Sequence, residues 1–297
     1  MKRIPYALVD VFAPAPGAGN RVAVVLDARG MSPEEMQAVA QSLGAAEAAF
    51  LLERTGAALS VRFFAPGGEV EFSGHAAVAV GLTAARTGLV PEGTTRLYLH
   101  TPTEVLPVEL VLEAGEPRKA WVRGPAPRFR DLPPYRALRE VLEALGSDER
   151  YLHRGLPYGV AFTGLWSLFV PLIAPGVVDA LEPEMERLKA LCFRLDVATV
   201  HAYAPTGPRG YYARDVAPPL GNPEDPVTGS ANAALGALLA RAGVVPRREG
   251  KVLLTVYQGH HLGNPGVVEV QVEYSPTGEP YSVQIGGEAV IVQTGEV

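Results

Sequence analysis

Two stretches of this chain decide the fold: GHAAVAVGLTAARTGLVP at residues 74–91 and GSANAALGALLARAGVVP at residues 229–246. They align without a gap at an offset of 155 residues and are identical at nine of eighteen positions. Both are apolar on nearly every side, and both end in Arg-x-Gly-x-Val-Pro, which puts a glycine helix terminator and a proline at the same place twice. We infer that the chain contains an internal duplication.

Each stretch predicts a buried helix, because a helix that is apolar all round must be surrounded by other elements. We expect these helices at 76–87 and 231–242. The predicted fold class is α+β, with two pseudo-symmetric lobes that each consist of a curled, mostly antiparallel sheet around a buried central helix. The N-terminal lobe would cover residues 1–120, with a final strand near 283–297 packing back on it. The C-terminal lobe would cover residues 121–282.

The other predicted elements are short and separated by turns. One helix opens at Ser32-Pro33-Glu34-Glu35, where the serine and Glu35 form a capping box and the proline lies in the first turn. Another helix is expected over about 177–191. Runs of β-branched residues and alternating patterns predict the strands. The remaining predictions are a helix at 135–145 and strands at 6–12, 21–26, 48–53, 60–64, 95–100, 105–112, 120–123, 159–163, 168–171, 252–257, 266–274 and 281–292.

Composition excludes several classes of protein. The 297 residues are 47% apolar and carry a net charge of −6, with no Lys/Arg-rich run of the kind that binds nucleic acid. The longest apolar stretches are too short to cross a bilayer, and the N-terminus lacks the apolar core of a signal peptide. The single cysteine, Cys192, excludes an internal disulfide and fits a reducing compartment. A soluble cytoplasmic protein is therefore expected, with neither nucleic acid nor a membrane as partner.

The starts of the two buried helices are candidate binding sites. Gly74-His75 and Gly229-Ser230 stand at helix N-termini, which present free N–H groups and partial positive charge. If the lobes face each other, both N-termini point into one cleft and hold a carboxylate or an enolate-like anion without a metal. The alternative is that these glycines only permit a tightly packed turn. Two such turns at equivalent positions, each beside an ionisable or hydroxyl residue, favour function.

One segment resembles the signature of a known family. Glu224-Asp225-Pro226-Val227-Thr228-Gly229-Ser230-Ala231 is similar to the signature of the PhzF (phenazine-biosynthesis-like) family. The resemblance covers nearly the whole chain, because further blocks follow in the family's order. These blocks are Asp10-Val11-Phe12, Gly19-Asn20, Leu26-Asp27, Glu47-Ala48-Ala49-Phe50, Phe64-Ala65-Pro66, Glu69, Phe72-Ser73-Gly74-His75, Gln258-Gly259 and Gly286-Gly287.

The resemblance implies a diaminopimelate-epimerase-like fold and a cofactor-free isomerase that moves a proton on a small carboxylate-bearing substrate in the cleft between the lobes. It also implies a homodimer. Glu47 would be the general acid/base, while His75 and Asp225 would bind polar groups of the substrate and set protonation states. The implied substrate-binding residues, which anchor a carboxylate or stabilise the anion, are Gly74, Gly229, Ser230, Asn20 and Thr228.

The local sequence alone leaves simpler interpretations open for the three catalytic candidates. Glu47 lies between alanines and before Phe50, where desolvation would favour its protonated form, but it could equally be a surface glutamate. His75 could be a helix-cap residue in the core. Asp225 precedes a proline and could be an ordinary turn residue.

The absence of a cysteine pair limits the types of reaction that this chain could catalyse. The related amino-acid epimerases use two cysteines, one per lobe, as an acid/base pair, whereas His75 and Ser230 follow the equivalent glycines here. A two-thiol inversion is therefore excluded, and one carboxylate moving a proton along one face fits better. The alternatives are an epimerase or racemase that uses Glu47 and Asp225, and a non-catalytic ligand-binding homologue.

No cofactor or metal is predicted. Gly17-x-Gly19 lacks the third glycine and the helix of a dinucleotide site. The adjacent His260 and His261 would point to opposite faces of a strand, which argues against a shared metal. The chain departs from the family pattern at Arg21, Ala76 and Asn264, positions that leave the acid–base set intact and bear on the identity of the substrate.

Overall fold

The computed structural model describes residues 3–297, apart from the side chain of Asn222. It divides into two compact units. The described chain up to Arg123 forms the first unit together with Gly286–Val297, and Gly124–Ile285 forms the second. None of the helices in the described part is long and apolar enough to cross a membrane.

The first unit holds a mostly antiparallel sheet and two helices. Its strands pair antiparallel with their neighbours except for the parallel pairs β2–β3 and β4–β6. The elements are β1 (Pro5–Val11), β2 (Asn20–Val25), α1 (Pro33–Ser42), β3 (Glu47–Thr55), β4 (Ala58–Ala65), β5 (Gly68–Val70), α2 (Gly74–Arg86), β6 (Arg96–His100), β7 (Val105–Glu113) and β8 (Glu116–Arg123).

The second unit repeats this plan, with parallel pairs only at β11–β12 and β13–β15 among the pairings described within it. The last strand, β17 (Pro280–Glu296), begins in this unit, and its residues 289–296 pair antiparallel with β1. The other elements are β9 (Arg128–Phe129), α3 (Tyr135–Ala144), β10 (Gly159–Phe162), β11 (Trp166–Pro171), α4 (Pro175–Asp179), α5 (Met185–Leu195), β12 (Thr199–Pro205), β13 (Gly210–Ala217), β14 (Asn222–Asp225), α6 (Gly229–Arg241), β15 (Lys251–Gln258) and β16 (Gly266–Tyr274).

The duplication is visible in the element bounds. The strands β3 and β12 begin at Glu47 and Thr199, 152 positions apart, and β4 and β13 keep that spacing at both ends. The helices α2 and α6 are 155 positions apart, so three extra residues fall between β13 and α6. Each unit places one helix against a mostly antiparallel sheet, which confirms the predicted α+β architecture.

The two repeated helices are buried as predicted. From Gly74 to Ala84 every residue of α2 except His75 is buried, and α6 is buried likewise except at Ser230. The equivalent glycines Gly81 and Gly236 allow this close packing. A Cβ there would lie 2.7 Å from a valine methyl of β7 and 2.6 Å from one of β16, respectively, which is closer than atoms pack.

The single helix predicted over 177–191 is wrong. The structure has two helices there, because Pro183 lacks an N–H and keeps the preceding residue out of the helical region. The break leaves carbonyl groups free at the end of α4. Arg214 Nη1 donates to the carbonyl oxygens of Val178, Asp179 and Leu181 at 2.9–3.2 Å.

The strands differ from prediction in four places, and two of these are the short strands β5 and β9, which were not predicted. No element was predicted between residues 191 and 231, where the structure has β12, β13 and β14. The strand β8 begins at Glu116 and not at Ala120, because the exposed polar residues at its start alternate with buried ones and resemble those of a loop. The capping box of α1 is confirmed: Ser32 Oγ accepts from the Glu35 N–H, and Glu35 accepts from the Ser32 N–H.

Candidate active site

Glu47 stands at the first position of β3. Strand β3 runs parallel to β2, where Val22 is its partner in register. The chain reaches this point after α1 ends and Gly44 turns it with a positive φ of 63°. Only 18% of the Glu47 side chain is exposed, so the interpretation as a surface glutamate is wrong.

Glu47 and His75 face each other in the first unit. Glu47 Oε2 lies 3.7 Å from His75 Nε2, and each atom is buried and without a hydrogen-bond partner among the described residues. That distance is too long for a hydrogen bond but short enough for a strong electrostatic interaction. Buried polar atoms are normally hydrogen-bonded, so two such atoms side by side mark a candidate reactive site.

His75 is oriented by the start of helix α2. Ser73 is the N-cap, and its Oγ accepts from the Ala76 N–H at 3.2 Å. The same oxygen lies 3.5 Å from His75 Nδ1, so the other ring nitrogen, Nε2, points to Glu47. Gly74 is buried at the first position of the helix, where the macrodipole favours negative charge. The N-cap role belongs to Ser73, and His75 Nε2 has no hydrogen-bond partner among the described residues.

Asn20 lies on the neighbouring strand β2, and its side chain is buried. The loop before it is fixed by the buried carboxylate of Asp10, which accepts from the Gly17 N–H at 2.7 Å and from the Arg21 guanidinium at 2.8 and 3.1 Å. A Cβ at Gly19 would lie 2.1 Å from a carbonyl oxygen of β1. Arg21, which departs from the family pattern, thus has a structural role.

In the second unit, Thr228 stands at the N-cap of α6, and Gly229 and Ser230 form its first turn. The Thr228 side chain does not cap the helix. Its hydroxyl oxygen lies 2.7 Å from Asp225 Oδ2 and 3.0 Å from Asp215 Oδ2. Asp225 is therefore held in place by a hydrogen bond with Thr228.

Two buried side-chain amides, those of Gln258 and Asn232, extend the hydrogen-bonded cluster around Thr228. Gln258 Nε2 donates to the backbone carbonyl of Asp225 at 2.9 Å and to Thr228 Oγ1 at 3.1 Å. Its Oε1 accepts from the Thr228 N–H and from Asn232 Nδ2. Both amide side chains are completely buried. They fix the position of the turn that carries Asp225.

The structure brings Glu47, His75 and Gly74 together in the first unit, and Asp225, Thr228, Gly229 and Ser230 together in the second. Sequence reasoning missed His201 and Asp215, which pair at 2.9 Å with both side chains fully buried. A histidine and an aspartate inside apolar runs were the available signal. It went unused because no strands were predicted there.

The described residues contain no group of three or more His, Cys, Asp or Glu side chains placed to hold a metal ion. Cys192 lies on the buried face of α5, in the core of the second unit. Burial, with a smaller contribution from the charge of Asp215, raises the pKa of its thiol to about 11. Such a thiol is protonated and unreactive at neutral pH.

Comparisons with known proteins identify relatives along almost the whole chain. Residues 9–295 match the family model described as phenazine biosynthesis-like protein, PhzC-PhzF. An uncharacterized isomerase of Deinococcus radiodurans is 44% identical over 98% of this chain and 93% of its own length. A trans-2,3-dihydro-3-hydroxyanthranilate isomerase of Pseudomonas fluorescens is 30% identical over 98% of both chains.

A solved structure shows the same fold over the full length. The PhzF-family phenazine biosynthesis protein of Bacillus anthracis superimposes with a TM-score of 0.89 at 29% identity, covering 100% of this chain and 99% of that one. The chain belongs to the PhzC-PhzF family of phenazine biosynthesis-like proteins and is an isomerase.

Proposed function

We propose that this isomerase moves a proton on a small carboxylate-bearing substrate without a cofactor, with Glu47 as the general acid/base. The observation that carries the proposal is the Glu47–His75 pair, whose facing atoms are buried, 3.7 Å apart and without other hydrogen-bond partners. A carboxylate that the fold shields from water but does not engage is available for proton transfer.

The reaction would proceed in two proton transfers. Glu47, as a carboxylate, removes a proton from a carbon of the substrate, and the electron pair moves into the adjoining unsaturated system. The protonated Glu47 then returns the proton to a different carbon. His75, at the positive end of α2, stabilises the negative charge that develops between the two steps.

The second unit would bind the substrate. Asp225 would contact a polar group of the substrate, and the free N–H groups at Gly229 and Ser230 would hold its carboxylate. The cleft between lobes that the repeat predicts is part of this proposal, as is the homodimer. Position 199, equivalent to 47, is a buried threonine hydrogen-bonded to Ser167, so the repeat provides only one base.

The name of one relative suggests a first substrate. The Pseudomonas fluorescens relative is an isomerase of trans-2,3-dihydro-3-hydroxyanthranilate, a small molecule that carries a carboxylate. We propose that the present enzyme acts on this compound or on another small unsaturated carboxylate.

The test is proton NMR of this substrate in D₂O with wild-type enzyme, Glu47→Gln and Glu53→Gln. Glu53 lies on the same strand, β3, and is exposed, so its variant is the matched control. We expect deuterium to enter one carbon as the double bond moves, and this incorporation to be lost only in Glu47→Gln.

Each other outcome has a definite meaning. Unchanged exchange in Glu47→Gln would overturn the role of Glu47. Inversion at the carbon that exchanges, with no shift of the double bond, would establish an epimerase. Binding without exchange across a panel of unsaturated carboxylates would establish a ligand-binding homologue. Elution volume in size-exclusion chromatography tests the homodimer.

A further inference from the structure

A row of three ionisable side chains crosses the sheet of the second unit. His201 on β12 pairs in register with Asp215 on β13, and Asp215 pairs in register with Asp225 on β14. In-register residues project from the same face, so the three side chains follow one another toward the start of α6. The first two are completely buried, whereas Asp225 is partly exposed.

The Thr228 hydroxyl lies between the carboxyl groups of Asp215 and Asp225. The number of hydrogen atoms at this oxygen limits the hydrogen bonds that it forms with them. A hydroxyl group has one hydrogen to donate and two lone pairs. Gln258 Nε2 donates to this oxygen, so one lone pair is taken. Two carboxyl oxygens also lie within 3.0 Å of it. The single hydrogen of Thr228 completes a direct hydrogen bond to one of them, and the other completes one if it is protonated and donates to Thr228.

Two further ionisable groups near Asp215, Arg214 and Cys192, supply no unpaired positive charge to balance a second carboxylate. The nearby guanidinium of Arg214 forms a two-pronged pair with Glu224. The Cys192 thiol stays protonated. His201 Nδ1 lies within hydrogen-bond distance of Asp215 Oδ1, at 2.9 Å, while Nε2 of the same ring is buried without a hydrogen-bond partner among the described residues.

We propose that Asp215 is a buried proton store for Asp225, connected to it through the Thr228 hydroxyl and positioned by His201. This inference deepens the proposed function, on which its catalytic meaning rests. In one arrangement Asp225 is protonated and donates to Thr228, which donates to Asp215. In the other, Asp215 is protonated and donates to Thr228, which donates to Asp225.

Moving two hydrogens along the row converts one arrangement into the other. The Asp225 proton passes to Thr228 Oγ1 while the Thr228 hydrogen passes to Asp215 Oδ2, so one O–H bond forms and one breaks at the threonine. The number of protons in the row is unchanged, and no water takes part. Asp225 thus presents the substrate with either an acid or a carboxylate, while Asp215 and His201 act as positioning residues and Thr228 connects the two carboxyl groups.

The direct test needs no substrate. Infrared difference spectra at neutral pH, in H₂O and D₂O, detect the carbonyl stretch of a protonated carboxylic acid. We expect wild type minus Asp215→Asn and wild type minus Asp225→Asn each to show loss of one such band. Glu47→Gln should keep it. If neither aspartate variant loses a band, both carboxyl groups are ionised and the inference is overturned.

Variants of Thr228 test the connection itself. Thr228→Ser keeps the hydroxyl group, whereas Thr228→Val has nearly the same volume without it. We expect Thr228→Ser to retain the infrared band and turnover, and Thr228→Val to lose the band and to lower kcat about 10²-fold with little change in KM. Melting curves show whether the valine variant folds. If it does not, the aspartate spectra decide.

Failure of this inference is distinguishable from failure of the proposed function. A retained band in both aspartate variants, with exchange still lost in Glu47→Gln, would remove the proton store and leave the acid/base role of Glu47. A lost band together with normal exchange in Glu47→Gln would do the reverse. A valine variant that folds, loses the band and keeps full kcat would remove the catalytic meaning of the store.

Discussion

The helices α2 and α6 both begin after an N-cap residue with an extended backbone, but the side chains at the two starts make different hydrogen bonds. At α2 the N-cap serine caps the helix, and the next ionisable residue, His75, faces Glu47 without a hydrogen bond. At α6 the N-cap threonine leaves the helix uncapped, and its hydroxyl is surrounded by Asp215, Asp225 and Gln258. The scaffold is the same in both units, whereas the polar groups form a buried pair without a hydrogen bond in the first and a hydrogen-bonded cluster in the second.

This difference indicates which of the two repeated units would supply the reactive side chain. A carboxylate that accepts several hydrogen bonds is fixed in position, and its negative charge is already stabilised. A buried carboxylate oxygen that accepts no hydrogen bond within the fold remains open to a bound molecule. The first unit therefore supplies the base in our proposal, and the second supplies the binding groups.

The largest expected effect comes from replacing equivalent residues in the two units. Glu47→Gln removes the proposed base and should lower kcat about 10³-fold, within the usual range for general acid–base catalysis. Thr199→Val alters the equivalent position of β12 and removes its hydrogen bond to Ser167. It should lower stability but leave kcat close to wild type. Steady-state kinetics with matched melting curves measure both.

Equal losses of kcat in Glu47→Gln and Thr199→Val would contradict the proposal that only the first unit supplies the base. Glu53→Gln completes the set, because it makes the same chemical change as Glu47→Gln at an exposed place on the same strand.

The next largest effect concerns two ion pairs that also correspond. Arg62–Glu69 joins β4 to β5, and Arg214–Glu224 joins β13 to β14. The first pair is partly exposed, whereas the Arg214 side chain is only 2% exposed. Arg214→Met leaves a buried carboxylate unpaired and should cost about 3–5 kcal/mol of unfolding free energy. Arg62→Met should cost about 0–1 kcal/mol.

Urea unfolding of the two arginine variants measures this difference. Arg214 also binds three carbonyl groups at the end of α4, so a combined Arg214→Met, Glu224→Leu variant should recover only part of the loss. Similar destabilisation by Arg62→Met and Arg214→Met would show that burial does not separate the two pairs.

Much of this fold was predictable because its decisive elements carry strong local signals. The repeated helices are apolar all round and end at glycine and proline, and the capping box at Ser32 marks α1. The helix over 177–191 failed because apolar residues lie on both sides of Pro183. In that case the proline, and not the periodicity, decides where the helix ends.

Only those residues of the candidate site that lie within the family motifs were predictable from the sequence. Glu47, His75 and Asp225 came from motif positions. His201 and Asp215 lie outside the quoted motifs, in strands where a continuous apolar pattern hid the two ionisable residues. Their proximity arises from strand register, a long-range property that local sequence does not encode. The unpartnered state of Glu47 and His75 likewise depends on which atoms the fold leaves near them.

A smaller effect is expected at the two glycines inside the repeated helices. Gly81→Ala and Gly236→Ala should each lower stability by about 1–3 kcal/mol, because the new Cβ meets Val108 or Val270 at less than 3 Å. Alanine's better helix propensity, about 1 kcal/mol, offsets only part of this cost. Urea unfolding should show recovery when Val108→Ala or Val270→Ala is added. Stabilisation by either single glycine variant would show that the helix is free to move away from its sheet.

The smallest expected effect is at Ser73, the N-cap of α2. Ser73→Ala removes the hydrogen bond to the Ala76 N–H and should cost about 1 kcal/mol of unfolding free energy. It also removes the hydroxyl beside His75 Nδ1, so a loss of kcat in excess of the stability change is expected, and Ser73→Thr should restore it. Because a cap that only stabilised the helix would leave kcat unchanged, the ratio of the two effects measures how far Ser73 also orients His75. A kcat equal to that of wild type in Ser73→Ala would mean that the Glu47–His75 geometry is fixed by the helix backbone alone.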